Sequence, residues 1–273
     1  MNEAMRAVRP VSPATGWIGG KRQLARRIIP LLCEVKHRVY AEPFVGMGGI
    51  FLRRPFASKV EAINDYDRDV ATFFRILQRH YQAFLDMLKW QLTSRAEFER
   101  LVSVEAATLT DLERAVRFLY LQRLAFGGKV AGRSFGIDTH GPARFDVGRL
   151  VPVLEAIHER LSGVTIECLD WRDFLARWDR KETLFFVDPP YYGTERYYAA
   201  PFPRADHEAL AAHLSGLKGR FLLTMNDCPE TRAIYGGLGR LQSVELSYQA
   251  GGAGKTTRAR EIVVHTLPTS ALI

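Results

Sequence analysis

Residues 184–193, LFFVDPPYYG, carry four apolar side chains straight into an aspartate, two prolines and two tyrosines. An apolar run without polar alternation is a strand buried on both faces. Pro189 and Pro190 must end it, because neither has an N–H to give to a neighbouring strand. Two earlier stretches have the same logic: RVYAEPFVGMGGIFL reads as strand, glycine-rich turn and helix start, and VEAINDYDRDVATFFRILQRH as strand, acidic turn and helix. Strands alternating with helices in this way build a parallel α/β sheet. From about Ala71 to Gly127 the periodicity is helical, with Thr110 and Glu113 spaced as a capping box. Residues 127–146 carry five glycines and only isolated apolar positions, and read as a hairpin or long loop. After a helix near 150–161, strands resume at VTIECLD, TLFFVD, RFLLTMND, SVELSYQA and EIVVHTL. The expectation is an α/β domain in two parts, 1–71 and 151–273, interrupted by a mainly helical insertion at 72–150.

Composition narrows the function classes. With 273 residues and 47% hydrophobic content, the chain can bury one sizeable core with a smaller inserted unit. Cys33, Cys168 and Cys228 are far apart and fit neither a disulfide framework nor a structural zinc spacing, which points to a reducing cytoplasm. No apolar run approaches the ~18 residues of a membrane span, and the N-terminal MNEAMRAVRPVSPATG lacks the apolar centre of a signal peptide. That stretch reads as a loose arm. A net charge of +8 makes a polyanion the natural partner. The sequence carries no sign of oligomeric state.

Three motifs bear on chemistry. AGGAGKTT, residues 250–257, imitates a phosphate-binding P-loop, but that pattern needs glycine where the chain has Gln249, so it reads as a basic loop between two strands. EPFVGMGG, residues 42–49, places Gly46 and Gly48 after a strand, where a missing Cβ lets backbone approach a ligand. Asp65 ends the next strand, and either accepts both hydroxyls of a ribose or serves the start of the following helix. At the end of LFFV, each proline holds the residue before it extended, which leaves a backbone carbonyl beside Asp188. A carboxylate and one carbonyl accept both hydrogens of an amino group, and Tyr191 or Tyr192 offers a face on which a planar base stacks.

Together, WIGGKRQL at 17–24, EPFVGMGGIFL at 42–52, NDYD at 64–67 and VDPPYY at 187–192 resemble the Dam-type DNA adenine methyltransferases, the D12 class in its alpha-group motif order. RAVRFLYLQR and the basic loop followed by ARE are similar to that family's segments in the same order. The resemblance implies a Rossmann-like α/β domain dependent on S-adenosyl-L-methionine, with a target recognition domain where the helical insertion falls. It implies that Trp17 and Lys21 line the cofactor site, Lys21 near the methionine carboxylate, with Phe44, Gly46 and Gly48 in the glycine turn and Asp65 on the ribose. Asp170 would meet the cofactor's adenine, with Trp171 flanking it. Asp188, Pro189, Pro190 and Tyr191 would form the catalytic edge, Asp188 also bordering the cofactor.

The implied reaction methylates the N6 amino group of an adenine flipped out of double-stranded DNA. Phe126, Lys129, Arg133 and Arg144 are candidates for groove contacts, and Lys255 and Arg258 for phosphate contacts. The residues after RAVRFLYLQR differ from those of members that read GATC, so no recognition sequence is assigned. Cytosine N4 or RNA as target, and a non-catalytic DNA-binding relative, stay open as alternatives.

Overall fold

The computed structural model describes residues 5–17, 19–136, 143–194, 197–198, 200–249 and 256–268. In chain order its elements are β1 (Met5–Ala7), α1 (Arg22–Glu34), β2 (Val39–Glu42), β3 (Phe56–Ser58), β4 (Val60–Asn64), α2 (Arg68–Arg79), α3 (Tyr81–Leu88), α4 (Arg95–Ser103), α5 (Asp111–Leu124), α6 (Val147–Arg160), β5 (Thr165–Glu167), α7 (Trp171–Trp178), β6 (Thr183–Val187), α8 (Arg204–Ser215), β7 (Arg220–Asn226), α9 (Pro229–Tyr235), β8 (Arg240–Gln249) and β9 (Thr256–His265). Seven strands form one sheet in the order β5-β4-β2-β6-β7-β9-β8. The first five run parallel, and β9 joins β7 and β8 antiparallel. This is the expected α/β fold.

Every residue of β6 is buried, as an unbroken apolar run demands. From β2 the chain moves to β4 and β5 on one side, then returns to β6 on the other. The turns after β2 and β6 therefore diverge at adjacent carboxyl ends, and a parallel sheet leaves its ligand crevice at such a switch point. The GMGG turn follows β2 and DPPYY follows β6, so the fold itself brings the two motifs together.

The helical insertion is not walled off from the sheet. Phe73 of α2 packs 6.0 Å from Phe84 of α3 and 5.7 Å from Phe118 of α5, and all three rings belong to the core shared with α1 and β2. The expected boundaries at 71/72 and 150/151 fall inside α2 and α6, because those helices bury one face against the sheet's own core. The capping box at Thr110 and Glu113 starts α5 as the spacing predicts.

The N-terminal arm differs from the loose segment expected. β1 pairs with β3, Val8 N donates to Pro55 O at 2.9 Å, Val11 N donates to Leu52 O at 2.8 Å, and Val11 and Ala14 are buried. The prolines that suggested looseness need no N–H partner, so an extended arm docks without leaving a donor unpaired.

One ionic cluster is buried beneath the site. Glu61 of β4 accepts from Arg54 at 2.8 Å and from Arg160 of α6 at 2.6 Å. Arg54 lies 3.6 Å over the Tyr40 ring, and Tyr40 Oη donates to Glu42 at 2.6 Å. Among the described residues no helix is long and apolar enough to cross a membrane.

Candidate active site

A cavity of about 1330 Å³ opens at the switch point, lined in part by Trp17, Lys21, Phe44, Gly46, Asp65, Asp188 and Pro190. These residues come from the N-terminal arm, the turn after β2, the end of β4 and the end of β6.

Its floor is the glycine turn. Gly46 has φ 49°, and a Cβ there would lie 2.8 Å from Trp17 Nε1, so the indole rests directly on the glycine backbone. Gly46 N donates to Asp65 Oδ2 at 2.9 Å, and Asp67 N donates to Oδ1 at 3.0 Å. No cation pairs with Asp65 among the described residues. Burial, with the nearby Asp67 charge adding, lifts its carboxyl to about 7. The cap of α2 is Asp67, which accepts from Asp69 N at 2.8 Å; Asp65 is thereby left for the cavity. Glu42, at the end of β2, is pushed by burial up to about 8, so it is largely protonated at neutral pH.

Asp188 is oriented from one side. Thr224 Oγ1 donates to its Oδ1 at 2.7 Å, and Lys21 Nζ sits 2.9 Å from the same oxygen. No described residue donates to Oδ2. Burial raises the carboxyl's pKa above the ordinary range, with Lys21 and Thr224 restraining the rise. Lys21 also donates to Gly19 O at 2.6 Å and lies 4.5 Å over the Tyr191 ring. Tyr191 in turn donates through Oη to Glu261 Oε2 at 2.6 Å, from a buried position on β9. One ammonium thus touches the carboxylate and the aromatic face that the sequence singled out.

Other expected residues stand elsewhere. Gly48 has φ 73°, but its missing Cβ faces Leu52 at 2.9 Å, so it serves core packing and does not line the cavity. Pro189 is buried, and Pro190 supplies the lining. Asp170 caps α7, accepting from Arg172 N at 2.8 Å and pairing with the Arg172 guanidinium at 3.3 Å, outside the cavity. Trp171 is buried 6.3 Å from Phe202, which meets Phe44 edge-on at 5.7 Å. Its link to the site runs through those two rings.

Among the residues expected at DNA, Phe126 is half exposed. Its segment folds back through Phe126 N to Ser134 O at 2.9 Å and Gly136 N to Leu124 O at 2.8 Å. Arg133 turns inward, donating to Gln122 Oε1 at 3.2 Å with its guanidinium 5.9 Å over the Phe118 ring. Arg144 lies across Gly136, its Nη1 2.9 Å from where a Cβ would stand, and Lys129 is half-buried. Arg258 is in β9 opposite Ser247, and Lys255 lies outside the described residues.

Sequence reasoning missed Thr224, Tyr198 and Glu261. Thr224 is beside Asp188 only because β7 pairs with β6 in a register that sets Val187 against Leu223. Tyr198 lines the cavity, and burial beside Asp188 pushes its hydroxyl pKa up. Nothing in the spacing of either residue announces this. Glu42 did carry a signal, an acid ending a buried strand just as Asp188 does.

The profile of the D12 class N6 adenine-specific DNA methyltransferase family matches residues 17–248. A DNA adenine methylase of Vibrio cholerae is 26% identical over 242 residues, covering 81% of this chain and 83% of its own length. A DNA N-6-adenine-methyltransferase of Escherichia phage P1 is 25% identical over 235 residues, covering 80% of this chain and 30% of the phage protein. With a type II methyltransferase of Lactococcus lactis subsp. cremoris, identity is 25% over 190 residues, spanning 66% of this chain and 65%, just under two thirds, of that relative. The matched region includes the glycine turn, the helical insertion and DPPYY, and the chain belongs to the D12 class of N6 adenine-specific DNA methyltransferases.

Proposed function

We propose that this protein moves a methyl group from S-adenosyl-L-methionine to the N6 amino group of an adenine flipped out of duplex DNA. The observation that carries the reading is Asp188, fixed through Oδ1 at the end of β6, with Oδ2 given no donor by any described residue, on the wall of the switch-point cavity.

The cavity suits an adenosine-bearing donor. Gly46 presents bare backbone under Trp17, Phe44 adds apolar wall, and Asp65 offers a carboxyl without a cationic partner among the described residues, positioned to take a ribose diol. That donor supplies an electrophilic methyl group on a sulfonium.

The chain's own residues do the remaining work. Adenine N6 is a poor nucleophile because its lone pair is delocalised into the ring. Asp188 Oδ2 and the Pro189 carbonyl accept the two amino hydrogens, which favours charge on nitrogen as it turns pyramidal and aims the lone pair. Tyr191, anchored by Glu261, offers for stacking the ring face that Lys21 leaves open. Lys21 holds the unused oxygen of Asp188, so the carboxylate cannot swing away. The target's amino group is buried in a duplex, and flipping it costs a few kcal/mol, offset by contacts of a chain carrying +8. The insertion at 72–150 is the target recognition unit in this reading. Three unpaired cysteines suit a reducing cytoplasm.

The test is incubation of the purified chain with duplex DNA and S-adenosyl-L-methionine, followed by digestion and chromatography of nucleosides. N6-methyl-2'-deoxyadenosine as the product supports the reading. Methylcytosine, or no product despite bound donor, overturns it.

A further inference from the structure

Two consecutive residues at the end of α5 tie together segments that the reaction uses for different ligands. Gln122 is 2% exposed, and its Nε2 donates both to Gly16 O at 3.2 Å and to Gly128 O at 2.7 Å. Its Oε1 accepts from Arg133 at 3.2 Å. Arg123 repeats the pattern: Nη1 donates to Ala14 O at 3.1 Å, while Nη2 and Nε donate to Arg144 O at 2.6 and 3.1 Å. Each side chain holds one carbonyl on the arm that leads into Trp17 and Lys21; the second is Gly128 O for Gln122 and Arg144 O for Arg123. A third contact is independent of both. Gly128, at φ 68°, lies so flat on the arm that a Cβ would stand 3.4 Å from Gly16 C and 3.5 Å from Trp17 N.

We infer that Gln122 and Arg123 are positioning residues that couple DNA engagement by residues 126–136 and Arg144 to donor binding at Trp17 and Lys21. The inference rests on the function proposed above. Gln122 is buried and its amide bonds to both segments, so displacing either one breaks a hydrogen bond to the side chain that also holds the other. The arm cannot shift without moving Trp17 off Gly46 and Lys21 off Asp188. A base entering beside Phe126 therefore adjusts the donor site through a rigid link. Solvating the arm and packing the segment would both be met by less specific contacts; one buried amide serving two backbone segments is what sets this junction apart.

Coupling between two ligands is reciprocal, which gives a readout that a merely structural residue would not move. Dissociation constants for S-adenosylhomocysteine are measured by calorimetry with and without a duplex the enzyme methylates, and those for the duplex with and without S-adenosylhomocysteine. The wild-type chain is expected to show the same factor in both directions, about fivefold or more. Gln122→Leu and Arg123→Gln each should bring that factor to within about twofold of one, while S-adenosylhomocysteine alone still binds. A wild-type factor of one, or a factor unchanged in both variants, overturns the inference. If Gln122→Leu does not fold, Arg123→Gln decides alone, with thermal unfolding as the control. Failure of S-adenosylhomocysteine to bind the wild-type chain at all would instead remove the underlying function.

Discussion

Asp65→Asn separates what the site costs the free protein from what it gives the ligand. In the folded chain the carboxyl titrates at about 7, against about 3.9 in an unfolded chain. A raised acid pKa means the folded state binds the proton more tightly, so stability from this group is intact below the unfolded pKa and is lost as pH rises towards 7. Between pH 5 and 8 the full shift corresponds to about 2.6 kcal/mol, at 1.36 kcal/mol per pKa unit. Asp65 is only partly enclosed, and water screens the charge, which lowers the expected swing to about 1–2 kcal/mol. Asparagine does not ionise, so the variant loses that pH dependence. Its fixed offset, from an amide that cannot accept from both Gly46 N and Asp67 N, is the same at every pH. Urea unfolding at pH 5 and pH 8 therefore should show the variant gaining about 1–2 kcal/mol on the wild type between the two conditions. Calorimetry should show S-adenosyl-L-methionine binding weakened by about 1–3 kcal/mol at pH 8. Parallel pH curves would refute the claim that burial holds Asp65 protonated, and unchanged affinity would remove it from the donor site.

Other substitutions test separate parts of the account. Asp188→Ala is expected to slow methyl transfer about a hundredfold or more while S-adenosylhomocysteine still binds, and single-turnover rates near wild type would overturn its role. Glu61→Ala strands Arg54 and Arg160 in the core and should cost about 3–5 kcal/mol in urea unfolding; a loss under about 1 kcal/mol would show the cluster to be hydrated. Arg133→Ala should lower stability with little change in base preference, because its guanidinium turns inward, whereas Lys255→Ala should weaken binding to all duplexes and reduce the salt slope by about one unit. A base-specific loss for Arg133→Ala, measured over single-base substitutions, would contradict that assignment.

The sheet was legible because its strands advertise themselves. LFFV is a continuous apolar run that ends on Asp188 and two prolines, and FLLTM is a nearly apolar one that ends in Asn226 and Asp227. That Asp65 and Asp188 meet at one cavity was readable for the same reason, since strand ends of a parallel sheet converge on one edge. What could not be read depends on pairing across distance. Thr224 reaches Asp188 through the β6–β7 register, and Glu261 reaches Tyr191 through an antiparallel strand some seventy positions later, at a separation of 70. An aspartate before a helix serves equally as ligand or cap, and Asp170 caps α7. Arg133 misled because a basic residue in a glycine-rich stretch suggests an open surface, while Gln122 and the Phe118 ring offered it a buried seat. The arm misled because prolines mark both loose chain and extended chain that docks.

Methylation of the adenine amino group at the edge formed by Asp188 and Pro189 is read out by sequencing DNA from cells that express the chain, with modified bases detected position by position. N6-methyladenine is expected in cells carrying the wild-type chain and is expected to be lost in cells carrying Asp188→Ala. N4-methylcytosine in its place, or N6-methyladenine undiminished in the Asp188→Ala cells, would contradict it.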